Sequence, residues 1–221
     1  MSVRSSVLPA RSTLSAAISS HLSQRLFFPV LSLTLPGLVI AAPEGGNVVA
    51  GSAVITSPDA NTTLITQTST RAAIDWQRFS IGETEYVQFS QPGSNSIALN
   101  RVVGGNPSDI LGNLSANGQV FLVNPNGIYF GSSATVNVGG IVASVLDISN
   151  EDFMAGNYRF AKGENAPAYA DVINDGAILA DGGYVVLLGD YVSNNHLIQA
   201  RMGSVALAAG NRITLDIKAD G

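Results

Sequence analysis

Two stretches near the end of the chain repeat each other at a fixed spacing. ILADGGYVVLLGDYV starts at Ile178 and LIQARMGSVALAAGNRI at Leu197. With an offset of 20 residues, Ile178, Ala180, Gly183, Val185 and Leu187 fall on Ile198, Ala200, Gly203, Val205 and Leu207. Leu114–Gly118, followed by Val120 and Leu122, carries the same pattern one residue out of step. A unit this short, strand-patterned throughout and broken by Gly and Asn turns, cannot bury its apolar side alone. Stacked copies bury one another's faces. Each unit is therefore predicted to be one coil of a solenoid, with neighbouring coils at about the 4.8 Å inter-strand spacing. The fold class expected is all-β: a right-handed parallel β-helix of ~20-residue coils with an N-terminal β cap.

The chain upstream fits that reading. From Asn47 to about Asn100 the runs NVVAGSAVITS, TTLITQTS, AAIDWQRFSI, YVQFSQ and SIALNRVV place β-formers at period two. Pro58-Asp59 and Pro92-Gly93-Ser94-Asn95 mark turns between them. Trp76, the only Trp, is followed by Phe79, Ile81, Tyr86 and Phe89. An apolar cluster that closes one end of the stack accounts for these rings better than an exposed ligand platform, because an open strand edge invites aggregation. Glu151–Ala170 breaks the pattern with Phe153, Tyr158, Phe160 and Tyr169 among charges. It reads as an excursion packed on the outside of the helix, with a contact surface for a partner as the rival.

Charge divides the chain. Arg4, Arg11 and Arg25 are the only charged residues before Glu44, so residues 42–221 hold 8 basic against 16 acidic residues, a formal charge of −8. Such a surface repels nucleic acid, and none is expected as a partner. The basic, Ser-rich start leads into Leu26–Ala41, an apolar run of 16 residues interrupted by Pro and Gly. The run is shorter than the ~20 apolar residues of a membrane span. Residues 1–41 therefore read as a secretory signal peptide with a long basic n-region, cut after Ala41 and engaging the Sec machinery. Residues 42–221 read as one domain. The chain has no cysteine, which excludes disulfides and thiolate metal sites.

Between two apolar strands, Val120–Val123 and Ile128–Phe130, lies Asn124-Pro125-Asn126-Gly127. Asn in the first position can bond backbone two residues on, Pro in the second has φ already set, and Gly ends the turn, so the four residues predict a type I turn. In context, RVVGGNPSDILGNLSANGQVFLVNPNGIYFG (Arg101–Gly131) resembles the N-terminal secretion domain of the filamentous haemagglutinin family, the exoproteins of bacterial two-partner secretion. Asn124, Pro125, Asn126, Gly127 and Ile128 match that family's NPNGI signature. Asn106, Pro107, Ser108 and Asp109 are a partial likeness to its second motif and a candidate second recognition segment. The likeness extends over about Gly45–Gly221.

The resemblance implies export of an adhesin-like exoprotein through the periplasm to the cell surface or medium. It also implies an outer-membrane β-barrel transporter with periplasmic domains as partner, and a host receptor or glycan bound by downstream regions. Whether the NPNGI segment touches the transporter or templates folding stays open at this point. The last coil carries no polar cap, so Gly221 is expected to lie within a longer exoprotein rather than at a natural end.

Signals for chemistry are sparse. His196 is the one histidine after residue 41, too few for a histidine metal site. Glu83/Glu85 and Glu151/Asp152 read as solvated pairs, and Asp171, Asp175, Asp181 and Asp190 as turn residues. No catalytic residue, metal or cofactor is expected. The alternative, a secreted β-helix polysaccharide lyase or glycosidase, would need a cluster of Asp, Arg or Lys on one face.

Overall fold

The structure is a computed structural model that describes residues 42–217; the signal-peptide reading of residues 1–41 and the reading of Gly221 lie outside the described residues. It opens with β1 (Asn47–Ala50), β2 (Ala53–Asp59), β3 (Thr62–Gln67) and β4 (Arg71–Trp76). β1 pairs antiparallel with β4, and β2 antiparallel with β3. β3 and β4 each use their other edge to start a parallel ladder. The two antiparallel strands thus form the expected cap. The turn expected at Pro58-Asp59 comes later, since both residues still belong to β2 and the chain reverses at Ala60-Asn61.

Beyond the cap come β5 (Tyr86–Ser90), β6 (Ile97–Val102), β7 (Ser108–Ile110), β8 (Asn113–Ala116), β9 (Gln119–Val123), β10 (Ile128–Phe130), β11 (Thr135–Asn137) and β12 (Gly140–Ser144). An excursion follows, holding α1 (Asn150–Ala155) and β13 (Tyr158–Ala161). Coiling resumes with β14 (Asp171–Asn174), β15 (Ala177–Leu179), β16 (Tyr184–Gly189), β17 (Tyr191–Asn194), β18 (Leu197–Gln199) and β19 (Ser204–Ala209). β20 (Arg212–Leu215) leaves the coil and pairs antiparallel with β13. The coils build three sheets: β1-β4-β6-β9-β12-β16-β19, then β7-β10-β14-β17, then β2-β3-β5-β8-β11-β15-β18. This is a parallel β-solenoid.

The repeat in the sequence is the register of the ladders. Ile178 pairs with Ile198, Val185 with Val205 and Leu187 with Leu207. Leu114 reaches Ile178 through Val136, and Val120 reaches Val185 through Ile141. The one residue out of step therefore lies in the corner between the third sheet and the first, where a coil can lengthen without moving either strand.

Glycine at that corner has a steric cause. A Cβ on Gly183 would sit 1.7 Å from the Gly139 carbonyl oxygen, and one on Gly203 would sit 1.8 Å from that of Gly183. Gly139 in turn donates its N–H to Gly118 O at 2.8 Å. Each glycine lets the next coil settle at strand spacing on the carbonyl below it.

Apolar side chains fill the interior. Ile65, Phe89, Leu114, Val136 and Ile178 point inward from the third sheet and are buried with Ile110, Phe130 and Val172 from the second. Trp76 and Phe79 meet edge-on at 5.4 Å below the cap, and Trp76 Nε1 donates to the buried Asn100 Oδ1 at 3.0 Å. Tyr86 does not join this cluster, since it faces outward on β5 and is exposed. Glu85, expected to be solvated, is buried, and its Oε2 accepts from Gly82 N at 2.7 Å.

The excursion covers the outer face of the first sheet. Phe121 points out of the solenoid against Phe153, Tyr158 and Phe160, at ring distances of 5.8, 5.2 and 6.1 Å. β12 and β16 are consequently buried along their whole length, which explains their unbroken apolar runs. Ser149 caps α1 by accepting from Asp152 N, and Gly156 ends it at φ 78°. Arg101, rising from β6, ties the entry down. It donates to Asp147 Oδ1 at 2.8 Å, Asp75 Oδ1 at 3.1 Å, Asn150 Oδ1 at 2.9 Å and the Ile148 carbonyl.

Candidate functional site

Asn124 follows the last residue of β9 and starts the corner that carries the chain to β10. Gly127 N donates to Asn124 O at 3.1 Å, closing a four-residue turn. Asn126 N donates to Asn124 Oδ1 at 3.0 Å, the local bond foreseen for asparagine in the first position. Gly127 has φ +113°, and Met202 is the one non-glycine residue with positive φ among the described residues. Asn126 therefore has negative φ, which agrees with type I and excludes type II.

The turn is also a junction between coils. Asn124 is fully buried, and its amide is saturated. Nδ2 donates to Asn106 O at 3.0 Å and to Ser108 Oγ at 2.9 Å. Oδ1 accepts from Asn126 N and, at 3.1 Å, from Asn126 Nδ2. The Asn124 N–H reaches forward to Ser144 O at 2.9 Å. Asn126 Nδ2 reaches back to Gly104 O at 2.9 Å. One asparagine side chain thus joins the coil before it, and its backbone joins the coil after it. A buried amide left without these partners would cost about 1–3 kcal/mol.

The two candidate segments are brought together. Asn106 and Ser108 supply both acceptors for Asn124 Nδ2, Ser108 N donates to Gly127 O at 3.0 Å, and Ile128 pairs with Ser108 in the β7–β10 ladder. Exposure divides them. Asn124, Gly127, Ile128 and Ser108 are buried, Pro125 and Asn126 half-buried, and Asn106, Pro107 and Asp109 exposed. Ser144 gave no signal in the sequence, because it takes part through its backbone carbonyl one coil further on. Ser80 was also missed; its hydroxyl accepts from Asp109 N at 3.1 Å and fixes the far end of the second segment.

The ionisable groups nearby act as fasteners. Tyr129 donates to Asp175 Oδ2 at 3.0 Å, and this bond raises the tyrosine's pKa above its ordinary value. Lys162 Nζ, on the excursion, donates to Asp190 Oδ2 at 2.7 Å and Ala168 O at 2.8 Å. The lysine holds the Asp190 carboxyl below the usual carboxylate range. Arg201 forms a paired contact with Asp181 at 3.0 and 2.9 Å across the last two coils. His196 lies exposed between β17 and β18. Among the described residues no three His, Asp or Glu side chains are grouped to hold a metal ion.

Three findings place this arrangement among known proteins. A family model described as "TPS secretion domain" matches residues 40–220. The heme/hemopexin-binding protein of Haemophilus influenzae (strain Rd) is 39% identical over 181 residues, covering 79% of this chain and 20% of that protein. The crystal structure of the HMW1 secretion domain from Haemophilus influenzae superposes with a TM-score of 0.75 at 41% identity, covering 78% of this chain and 46% of that one. The chain thus spans about a fifth of the curated relative it matches.

Proposed function

The chain belongs to the TPS secretion-domain family, and from that premise we propose that Asn124–Ile128 and Asn106–Asp109 serve export as one folding clasp. The domain is a two-partner secretion domain, the export segment of an exoprotein that a partner transporter carries across the outer membrane. The family is one of non-enzymatic export domains. A polysaccharide-cleaving function has no support in this kinship.

One observation carries the clasp reading: the Asn124 side chain is fully buried with every amide bond used inside the fold. In the folded domain it has nothing left to offer a transporter. Its partners belong to neighbouring coils, so it is satisfied only once they have stacked. The chain enters the periplasm by its leader and the Sec machinery and stays extended there. It meets the periplasmic domains of an outer-membrane β-barrel by strand pairing. Outside the cell the clasp closes, sets the register of the coils on either side, and so disfavours return. Downstream regions carry the effector activity, by adhesion to a host receptor or glycan or, as the name of the Haemophilus relative suggests, by heme/hemopexin binding.

The test is secretion from a Gram-negative host carrying the barrel gene found beside this one, with Asn124→Ala/Asn126→Ala as the variant. Wild type should reach the medium only with the barrel, and the variant should stall. A second measurement separates the two roles. The denatured variant should still bind the purified periplasmic domains while its refolding slows. Loss of that binding with normal refolding would assign the asparagines to transporter recognition instead.

A further inference from the structure

Beside the clasp, the outer face of the second sheet holds a shallow concavity of about 310 Å³. Tyr129 and Tyr169 line it with Asp109, Asn126, Asp171 and Ile173. Asp109, Tyr129 and Ile173 occupy one outward row across β7, β10 and β14. Tyr169 is 61% exposed. Tyr129 does not hang free: it is held by its 3.0 Å bond to Asp175. The Asp175 carboxylate therefore fixes the Tyr129 ring before any ligand arrives, which lowers the ordering cost of binding.

We propose that this concavity binds a neutral sugar, whose ring face stacks on Tyr129 and Tyr169 while its hydroxyls donate to the exposed Asp109. Several features select that chemistry. Aromatic rings match the apolar face of a pyranose. The polar groups are chiefly acceptors, which suits hydroxyl donors. The nearby cation, Lys162, is already paired with Asp190, so sulfated, sialylated or phosphorylated ligands meet only repulsion. The site is open along the sheet, so the ligand is a chain lying across coils rather than a small molecule enclosed. Asn126 belongs to both the clasp and this wall, but Tyr169 lies outside the clasp, so a Tyr169 variant reads sugar binding separately from export.

The experiment is calorimetric titration of the purified chain with neutral gluco-, galacto-, manno- and N-acetylglucosamine hexasaccharides. At least one should bind saturably. Tyr169→Ala should weaken that binding about tenfold or more. Tyr86→Ala, which removes a comparably exposed ring from the third sheet, should leave it unchanged. Both variants should keep the wild-type melting temperature. Three results overturn the proposal: no hexasaccharide binds at millimolar concentration; the two variants behave alike; or an arginine-rich peptide binds with strong salt dependence while the sugars do not. The last would make the face a docking site for a basic polypeptide.

Discussion

Asn124 Nδ2 donates to Ser108 Oγ at 2.9 Å, and both residues are fully buried. The bond crosses one coil boundary and lies in the interior, where water cannot replace either partner. A buried polar contact of this kind adds modestly to stability but strongly disfavours other registers, because any slip strands both groups.

Asn124→Ala should therefore lower unfolding free energy by about 2–4 kcal/mol, since it leaves Asn106 O and Asn126 N without their side-chain partner and opens a small cavity. Ser108→Ala, which removes one of two acceptors, should cost about 1–2 kcal/mol. Chemical denaturation of both single variants and the double variant checks this. The double variant should fall short of the sum, because the two side chains share a bond.

Gly183→Ala should destabilise by about 1–3 kcal/mol or prevent folding, because its Cβ would lie 1.7 Å from the Gly139 carbonyl oxygen and force two coils apart. Gly105→Ala is the control: a Cβ there meets nothing within 4 Å, and its midpoint of denaturation should stay near wild type. Equal effects at the two positions would show that the corner contact does not set the spacing.

Met202→Gly should stabilise by about 0.5–1 kcal/mol. Met202 holds φ 54° where the preceding coil has Gly182 at φ 76°, and a left-handed backbone strains any residue with a Cβ. The side chain is 97% exposed, so little packing is lost. Melting curves of the two proteins decide it.

Asp190 gives a pH signature. Its pKa is lowered in the folded state by the hydrogen bond from Lys162. A depressed carboxylate stabilises the fold above its unfolded value of about 3.9, and that stability is lost as pH falls through the lower folded value. The stability gap between wild type and Asp190→Asn should be constant from neutral pH to about pH 5 and close below about pH 4. Urea titrations across that range measure it. A gap that instead closed near pH 6–7 would point to another group.

Much of this was readable in the residues. The 20-residue offset reappears as the pairing of Ile178 with Ile198 because coils stack in register, and Asn124-Pro125-Asn126-Gly127 makes its turn from local conformational preference. What escaped was set by neighbours one coil away. Nothing near Ser144 announces a bond from Asn124 N to its carbonyl, and nothing in YVQFS tells that Tyr86 faces solvent while Phe89 faces the core, except the phase of the strand. Glu85 looked solvated because a backbone N–H, that of Gly82, is among its partners, and such a donor is invisible to any side-chain pattern. The excursion was legible as a segment packed on the outside of the helix, but not its target: Phe153 and Phe160 had no visible partner until Phe121 proved to point outward.

That excursion leaves the solenoid around it undisturbed. Val120 and Ile141 are paired neighbours, as are Ile141 and Val185, although the second pair is separated by about twice as much chain. The corner between the first and second sheets is thus a graft point, at which extra chain leaves and returns without the ladders registering its length. Closing a longer loop there costs only about 0.6 kcal/mol per doubling. A peptide spliced between the exposed Gly163 and Pro167 would be displayed on the flank of the domain at a fixed level along its axis. For an exported protein, this corner is a place where new surface can be acquired while the machinery of folding stays as it is.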